Sequence, residues 1–265
     1  MRGRAGARTL RPAPTPMLRR ALFDRPRRPD AEDAFRWRGQ DVSRLENLSD
    51  IVFALAISLL MATADVPASF AELAETLQTF VPLAGCFALL LAVWQVHYTY
   101  FRRYGLTDGR TVALNAVLLF LVLLFVYPLR FLADFQAGIL FGRYASGREL
   151  AAVVSFEQIP FLQLVYSGGY AAVFGVFALL YRHAARQADA LALTPAERTL
   201  TAERVALAST HVAVALLAIA LAFVLPRVWT PMSWMAYMLL WPVLPVVRRR
   251  YRLRLEPPDR SETDD

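Results

Sequence analysis

The chain has 265 residues, of which 57% are hydrophobic and 19% charged, and its mean hydropathy is +0.38. Soluble domains are about 45–50% apolar and about a quarter charged, so this composition indicates an integral membrane protein. The single cysteine, Cys86, excludes an intramolecular disulfide framework and a cysteine-based metal cluster, and leaves the redox compartment open.

The net charge of +7 comes from arginine, since the chain contains no lysine. The arginines gather between apolar runs, which is typical of topology signals in membrane proteins and argues against a nucleic-acid partner. Residues 1–42 mix Arg, Pro and Ala without the apolar core of a secretory signal. They predict a basic, disordered cytoplasmic tail, for which contact with anionic lipid is the alternative.

Six long apolar runs predict an all-α fold with six membrane-spanning helices per subunit. The runs cover approximately residues 43–64, 78–100, 110–132, 158–182, 204–225 and 230–247. They define a membrane domain over residues 43–250, followed by a polar cytoplasmic tail over 251–265. Prolines in the last run would end or kink its helix unless neighbours satisfy the freed carbonyls.

Every second connection is rich in arginine, beginning with the segment before the first run and ending with RRRYRLR after the last. Because cytoplasmic loops carry the excess of positive charge, both termini are predicted to be cytoplasmic. The longest connection, residues 134–159, is predicted to lie outside.

The first apolar run begins with an unusually polar stretch, SRLENLSD, from Ser43 to Asp50. Ser43 and Glu46 have the spacing of a capping box, so the helix is predicted to start near Ser43. An unpaired charge at mid-bilayer costs about 2.5 to 3.5 kcal/mol even on a lenient scale. These polar groups are therefore expected near the cytoplasmic interface, packed against other polar groups or lining water.

The stretch RLENLSD closely resembles the Arg-x-x-x-Phe-Ser-Asp signature of the transmembrane protein 175 family of potassium channels, the lysosomal potassium channel family. Arg44, Ser49 and Asp50 match it, and Leu48 replaces the phenylalanine. VWQVHYTYFRR is similar to the Trp-x-x-His segment ending the family's second helix, TDGRTVALNAVLLFLVLLFVYPLRFL to its third helix, and YRHAAR to the end of its fourth. The resemblance covers about residues 44–223 and is to the prokaryotic, single six-helix branch.

The resemblance implies a tetramer in which the first helix of each subunit lines a central pathway. It assigns apolar constrictions to Leu55, Leu59 and Ala62 and a hydroxyl ring to Ser58. These residues share one helical stripe. Ala62 is smaller than the usual leucine or isoleucine, so the outer constriction should be wider. The alternatives are that the stripe packs against helices or lipid, and that Ser58 bonds to its own helix backbone.

A supporting polar network is expected around the signature, to fix the tilt of the first helix. Arg44, Ser49 and Asp50 should bond to partners from the second and third helices. The candidate partners are Trp94, His97, Asp108 and Asn115. The three histidines have no metal-ligand spacing, and no metal site is predicted.

The sequence therefore predicts a passive, potassium-permeable homotetrameric cation channel in a prokaryotic plasma membrane. Its selectivity for potassium over sodium should be modest, and it should need membrane lipid and permeant potassium ions but no cofactor. A secondary transporter or a non-conducting membrane scaffold is the alternative, although carboxylates are absent from the middle of most runs. An enzyme is not expected, because no ordered nucleophile and base are evident.

Overall fold

The computed structural model describes residues 35–39, 41–62, 67–142, 153–155 and 157–255. Its helices are α1 Arg44–Ala62, α2 Phe70–Tyr104, α3 Gly109–Leu140, α4 Ile159–Arg186, α5 Pro195–Val224, a 3₁₀ helix Thr230–Leu239 and α6 Leu240–Arg252. Six segments in this part of the chain are long and apolar enough to cross a membrane, the sixth combining the 3₁₀ helix with α6. The predicted helical fold with six spans is confirmed.

Two helices begin earlier than their apolar runs because their capping residues lie outside the apolar core. Ser69 is the N-cap of α2, and its hydroxyl accepts a hydrogen bond from the backbone N–H of Glu72. Thr194 and Glu197 form a reciprocal capping box at the start of α5. The box predicted between Ser43 and Glu46 is confirmed for α1, with backbone-to-side-chain distances of 2.8 and 3.1 Å. Such caps satisfy backbone N–H groups that have no partner in the helix.

The connection predicted over residues 134–159 is shorter than expected, since α3 continues to Leu140 and residues 134–140 belong to that helix. Asp134 consequently lies within α3, on the same face as Arg130 one turn earlier, and the two side chains are 3.3 Å apart. The helix also continues through Pro128.

The sixth span changes from 3₁₀ to α geometry at Leu240. A 3₁₀ helix rises about 2.0 Å per residue and an α-helix about 1.5 Å, so the 10 and 13 residues of the two parts extend roughly 40 Å. This length exceeds the hydrocarbon thickness of about 30 Å.

The helices pack into a bundle in which α4 and α5 have the most extensive contact, and α1 packs against α2 and α3. One end of the bundle, formed by the starts of α1, α3 and α5 and the ends of α2, α4 and α6, is called the basic end below. Its interior is aromatic, with Tyr100, Phe101, Tyr104 and Tyr181 at most 2% exposed. Their rings contact one another edge-on or tilted, at centroid distances of 5.2 to 6.1 Å.

Residues Phe35–Gly39 lie on the basic end, and we call them the strap. Phe35 is 3% exposed, and its ring meets that of Tyr104 edge-on at 5.5 Å. The backbone N–H groups of Arg38 and Gly39 both donate to the carbonyl of Arg102, each at 3.1 Å. The predicted tail, residues 1–42, therefore includes a packed segment, while residues 1–34 lie outside the described residues.

The strap passes close to the turn between α2 and α3. Gly105 ends α2 with φ of +60°, a left-handed conformation that favours glycine. A Cβ atom on Gly105 would lie 3.2 Å from the backbone nitrogen of Gly39, and one on Gly39 would lie 2.7 Å from the carbonyl oxygen of Phe101. Both positions thus exclude larger residues without a shift of the backbone.

Candidate functional site

Helix α1 has one face in the bundle and one face turned away from it. The buried residues recur every three or four positions, and they are Glu46, Ser49, Phe53, Ala56 and Leu60. The exposed face carries Arg44, Leu48, Ile51, Leu55, Ser58 and Ala62. Because α1 is long and apolar enough to span a membrane, this second face meets either lipid or another subunit.

The four predicted constriction and hydroxyl residues lie on or beside the exposed face. Leu55 is 48% exposed, Ser58 and Ala62 are exposed, and Leu59 at the edge is half-buried. Sequence reasoning missed Ile51, which is 60% exposed and lies one turn before Leu55 on the same face. The spacing from Leu48 through Ile51 to Leu55 is the signal that would have found it.

The hydroxyl of Ser58 donates a hydrogen bond to the carbonyl of Ala54, at 2.8 Å. The backbone bond considered as the alternative is therefore present. It does not use the lone pairs of the hydroxyl oxygen, which stay available to accept from water or to meet a cation.

Ser49 is the centre of a buried polar chain that joins α1 to α3 and α2. Its hydroxyl donates to the carbonyl of Leu45 at 2.8 Å and accepts from the side-chain amide of Asn115 at 2.9 Å. The amide oxygen of Asn115 lies 2.9 Å from Nε2 of His97, which must carry the proton because that oxygen can only accept. Ser49, His97 and Asn115 are at most 1% exposed, so α1 is held by bonds shielded from water.

Asp50 bonds α1 directly to α2. Its carboxylate accepts from the indole Nε1 of Trp94 at 2.8 Å, and the Trp94 ring stacks on Tyr98 at 5.6 Å. Asp50 is otherwise exposed, so it keeps an accessible carboxylate oxygen near the basic end.

Two residues expected in this network lie elsewhere. Arg44 is on the exposed face of α1, outside the bonds just described. Asp108 is the N-cap of α3, where it accepts from the hydroxyl of Thr111 at 2.7 Å, and it lies 2.9 Å from Nε2 of His183 on α4. Asp108 thus links α3 to α4. Because a capping residue must stay at its own helix terminus, Asp108 is not part of the network around Ser49.

Asp108 makes the stability of the protein dependent on pH. Burial raises the pKa of this carboxyl, but hydrogen bonds from Thr111 and His183 lower it by more, so its pKa lies below the ordinary value. A carboxyl with a depressed pKa stabilises the fold above its unfolded pKa, and this contribution is lost as pH falls through the folded pKa. We expect Asp108→Asn to lose less thermal stability than the parent protein between about pH 6 and about pH 3.

Thermal unfolding in detergent at both pH values measures the difference. Asp41→Asn, at an exposed position, is the matched control and should follow the parent protein. An equal pH dependence in Asp108→Asn and the parent protein would contradict this role.

The opposite end of α1 is held by Arg130 on α3. Nη1 of Arg130 lies 3.5 Å from the carbonyl oxygen of Leu60, one of the last carbonyls of α1, which have no partner within the helix. The pair of Arg130 with Asp134 therefore orients a guanidinium toward α1 as well as joining two side chains of α3.

Among the described residues, no group of three or more His, Cys, Asp or Glu side chains could hold a metal ion. His97, His183 and His211 each have a different polar partner, which is Asn115, Asp108 and Tyr170 respectively.

The fold and this site together define a multi-pass helical membrane protein whose first helix presents a mainly apolar face outside its own bundle. The family model described as endosomal/lysosomal potassium channel TMEM175 matches residues 44–125. A protein of Marivirga tractuosa named "Potassium channel" is 38% identical over 166 residues, which are 62% of this chain and 67% of that relative. The chain belongs to the TMEM175 family.

Further relatives agree with this assignment. The potassium channel Cha6605_3372 of Chamaesiphon minutus is 28% identical over 168 residues, 60% of this chain and 72% of the relative. A crystal structure of a variant of the potassium channel MtTMEM175 superposes with a TM-score of 0.74 at 34% identity, covering 81% of this chain and 95% of that one. The structure of the lysosomal potassium-selective channel homologue from Chamaesiphon minutus shows the same fold, with a TM-score of 0.50 at 23% identity over 78% of this chain and 96% of that one.

Proposed function

We propose that the chain forms a homotetrameric, potassium-permeable channel in a bacterial plasma membrane, with the exposed face of α1 lining the central pore. The observation that carries this proposal is the division of α1 into two faces. Its polar side chains Ser49 and Asp50 are bonded to the bundle, while Leu48, Ile51 and Leu55 are about half exposed or more.

Fourfold rotational symmetry arranges the residues of the exposed face in rings around the axis. Four copies around an axis parallel to α1 place each residue of this face opposite its equivalents, so Ile51 and Leu55 form successive apolar rings. Leucine and isoleucine offer an ion nothing to replace its water shell, and such rings control conduction by narrowing and dewetting the path.

Selection for potassium is assigned to Ser58. Four hydroxyl oxygens, each with lone pairs left by the bond to Ala54, would contact a partly hydrated cation. Potassium loses water more easily than sodium, so this ring favours potassium modestly. Ala62 makes the outer constriction wider, and Asp50 near the basic end raises the local cation concentration.

The basic end is assigned to the cytoplasm, so that both termini and the polar tail after α6 are cytoplasmic. The arginines there include Arg102, Arg103, Arg186 and Arg198, and arginine-rich ends of spans remain on that side. Conduction through apolar and hydroxyl rings is passive, and it requires no cofactor and no catalytic group.

The test is the reversal potential of the reconstituted protein, with potassium on one side of the bilayer and sodium on the other. We expect a potassium-directed potential in the parent protein that shrinks in Ser58→Ala. Leu55→Asn should carry severalfold larger current, because a polar ring wets the constriction. Leu179→Asn on α4, at a similarly exposed leucine, is the matched control and should conduct like the parent protein.

Equal increases of current in Leu55→Asn and Leu179→Asn would contradict the assignment of α1 as the pore helix. No current from any of the four proteins, each folded and tetrameric, would contradict the channel. Coupled potassium uptake by the same proteins would then indicate a secondary transporter, and its absence a non-conducting scaffold.

A further inference from the structure

A cavity of about 350 Å³ lies inside the bundle, between α2, α3, α4 and the 3₁₀ helix. Its lining is aliphatic and aromatic, and includes Leu90, Val93, Val122, Phe125, Val173 and Trp234. All of these residues are on segments that can span a membrane. The cavity is separate from the exposed face of α1, which contributes no residue to it.

The three tyrosine hydroxyls of the wall are already bonded. The hydroxyl of Tyr166 donates to the carbonyl of Pro128 at 2.6 Å, and that of Tyr237 donates to the hydroxyl of Ser167 at 2.8 Å. The hydroxyl of Tyr170 lies 2.7 Å from Nδ1 of His211. A water molecule needs two to four polar partners to be held in a cavity, so this wall favours an apolar occupant.

The same bonds hold in place the helices that form the cavity wall. Tyr166 and Tyr170 are each tied to a second helix, and Tyr237 ties the 3₁₀ helix to α4. Helices α2 and α4 contact each other at few positions, so the space between them is bridged by side chains. A ring of Phe125 reaches across to the backbone of α4, where Gly169 has no Cβ that would displace it.

We propose that this cavity binds part of one acyl chain of a membrane phospholipid. Its size falls within the range of about 300 to 1,000 Å³ typical of small-molecule sites, and an apolar cavity of about 150 Å³ already binds benzene. Leu89, which also lines the cavity, is 39% exposed in the single chain, so the wall continues to the outer surface of a segment that can span a membrane. The wall offers a headgroup no charged side chain, so the headgroup stays at the interface.

The experiment uses the full chain reconstituted with a phosphatidylcholine that carries a diazirine in the middle of one acyl chain. After illumination, mass spectrometry of the peptides locates the adducts. We expect adducts on cavity residues of α2, α3 and α4. Val122→Phe, which fills the cavity, should reduce them about tenfold, equivalent to about 1.4 kcal/mol of binding free energy.

Val117→Phe is the matched control, because Val117 lies on the same helix but is 48% exposed, whereas Val122 is 2% exposed. It should leave labelling of the cavity unchanged. Val173→Phe fills the cavity from α4 and repeats the test if Val122→Phe does not fold. None of these measurements requires conduction, so the result is independent of the proposed function.

Adducts confined to exposed side chains would overturn the proposal. Cavity labelling that persists at full yield in a folded, cavity-filled variant would overturn it as well. A diazirine-bearing free fatty acid at the same mole fraction separates the two sources of hydrocarbon. Labelling by the free acid without labelling by the phospholipid would identify the occupant as a free fatty acid and contradict the acyl-chain assignment.

Discussion

Replacing Glu197 by glutamine is expected to destabilise the folded protein by about 3 to 5 kcal/mol, the usual cost of leaving a buried charge without its partner. The Glu197 carboxylate accepts from both terminal nitrogens of Arg38, at 2.9 and 2.8 Å. It also accepts from the backbone N–H groups of Arg36 and Thr194, each at 2.9 Å. With Glu197 only 1% exposed, water cannot replace these bonds.

Glutamine keeps the shape of the side chain but has only one acceptor oxygen for these donors. Arg38, whose side chain is 16% exposed, would then retain a guanidinium without a counter-charge. We expect a lower midpoint of thermal unfolding in detergent, with release of the strap, which is joined to α1 through residues 40–43.

Asp189→Asn is the matched control, because it neutralises the carboxylate of a pair at the same end of the bundle. Asp189 is 2.6 Å from Arg198, and the two side chains are 93% and 49% exposed. Exposed pairs contribute about 0.2 to 1 kcal/mol, so this variant should unfold close to the parent protein. Equal unfolding midpoints for both variants would show that the strap adds nothing to stability.

Replacing Asn115 by leucine should destabilise the folded protein nearly as much as Glu197→Gln. Leucine has a similar shape but leaves the hydroxyl of Ser49 without its donor and Nε2 of His97 without its acceptor. Each buried polar group left unpaired costs about 1 to 3 kcal/mol. Since these bonds join α1 to α2 and α3, we expect both lower thermal stability and smaller potassium current.

Asn47→Leu is the control, because Asn47 is exposed on the first turns of α1. It should change the midpoint of unfolding little. The reversal potential distinguishes anchoring from ion selection. If Asn115→Leu changes the current but keeps the parent reversal potential, the network positions α1; a shifted reversal potential would place Asn115 in the selectivity mechanism.

The sequence predicted the parts of the fold that depend on local pattern. Apolar runs of sufficient length specify the six spans, and Ser43 with Glu46 specifies the start of α1, because each depends only on residues within one continuous segment. The predicted positions of helix ends were less accurate. The start of α5 is set by Thr194 and Glu197, which precede the apolar run, and α3 continues through Asp134 with the support of Arg130.

Part of the polar network around α1 was predicted. Trp94 with Asp50, and His97 with Asn115 and Ser49, lie together as expected, since these positions on three helices lie at the same level along the bundle. Ile51 was not predicted to lie on the exposed face of α1, although its spacing of four residues from Leu55 indicates that position. The pairing of Asp108 with His183 was missed because no local signal connects residues 75 positions apart.

The sequence by itself determined a membrane protein with six spans, its family signature and the polar residues that begin α1. These follow from composition, periodicity and short motifs, which are properties of neighbouring residues. Only the tertiary structure decided which face of α1 is turned away from its own bundle. It also showed that the strap is bonded to Glu197 and that a cavity lies between α2, α3 and α4. Each of these depends on how distant helices approach one another, and side-chain packing between them is not encoded in any single segment.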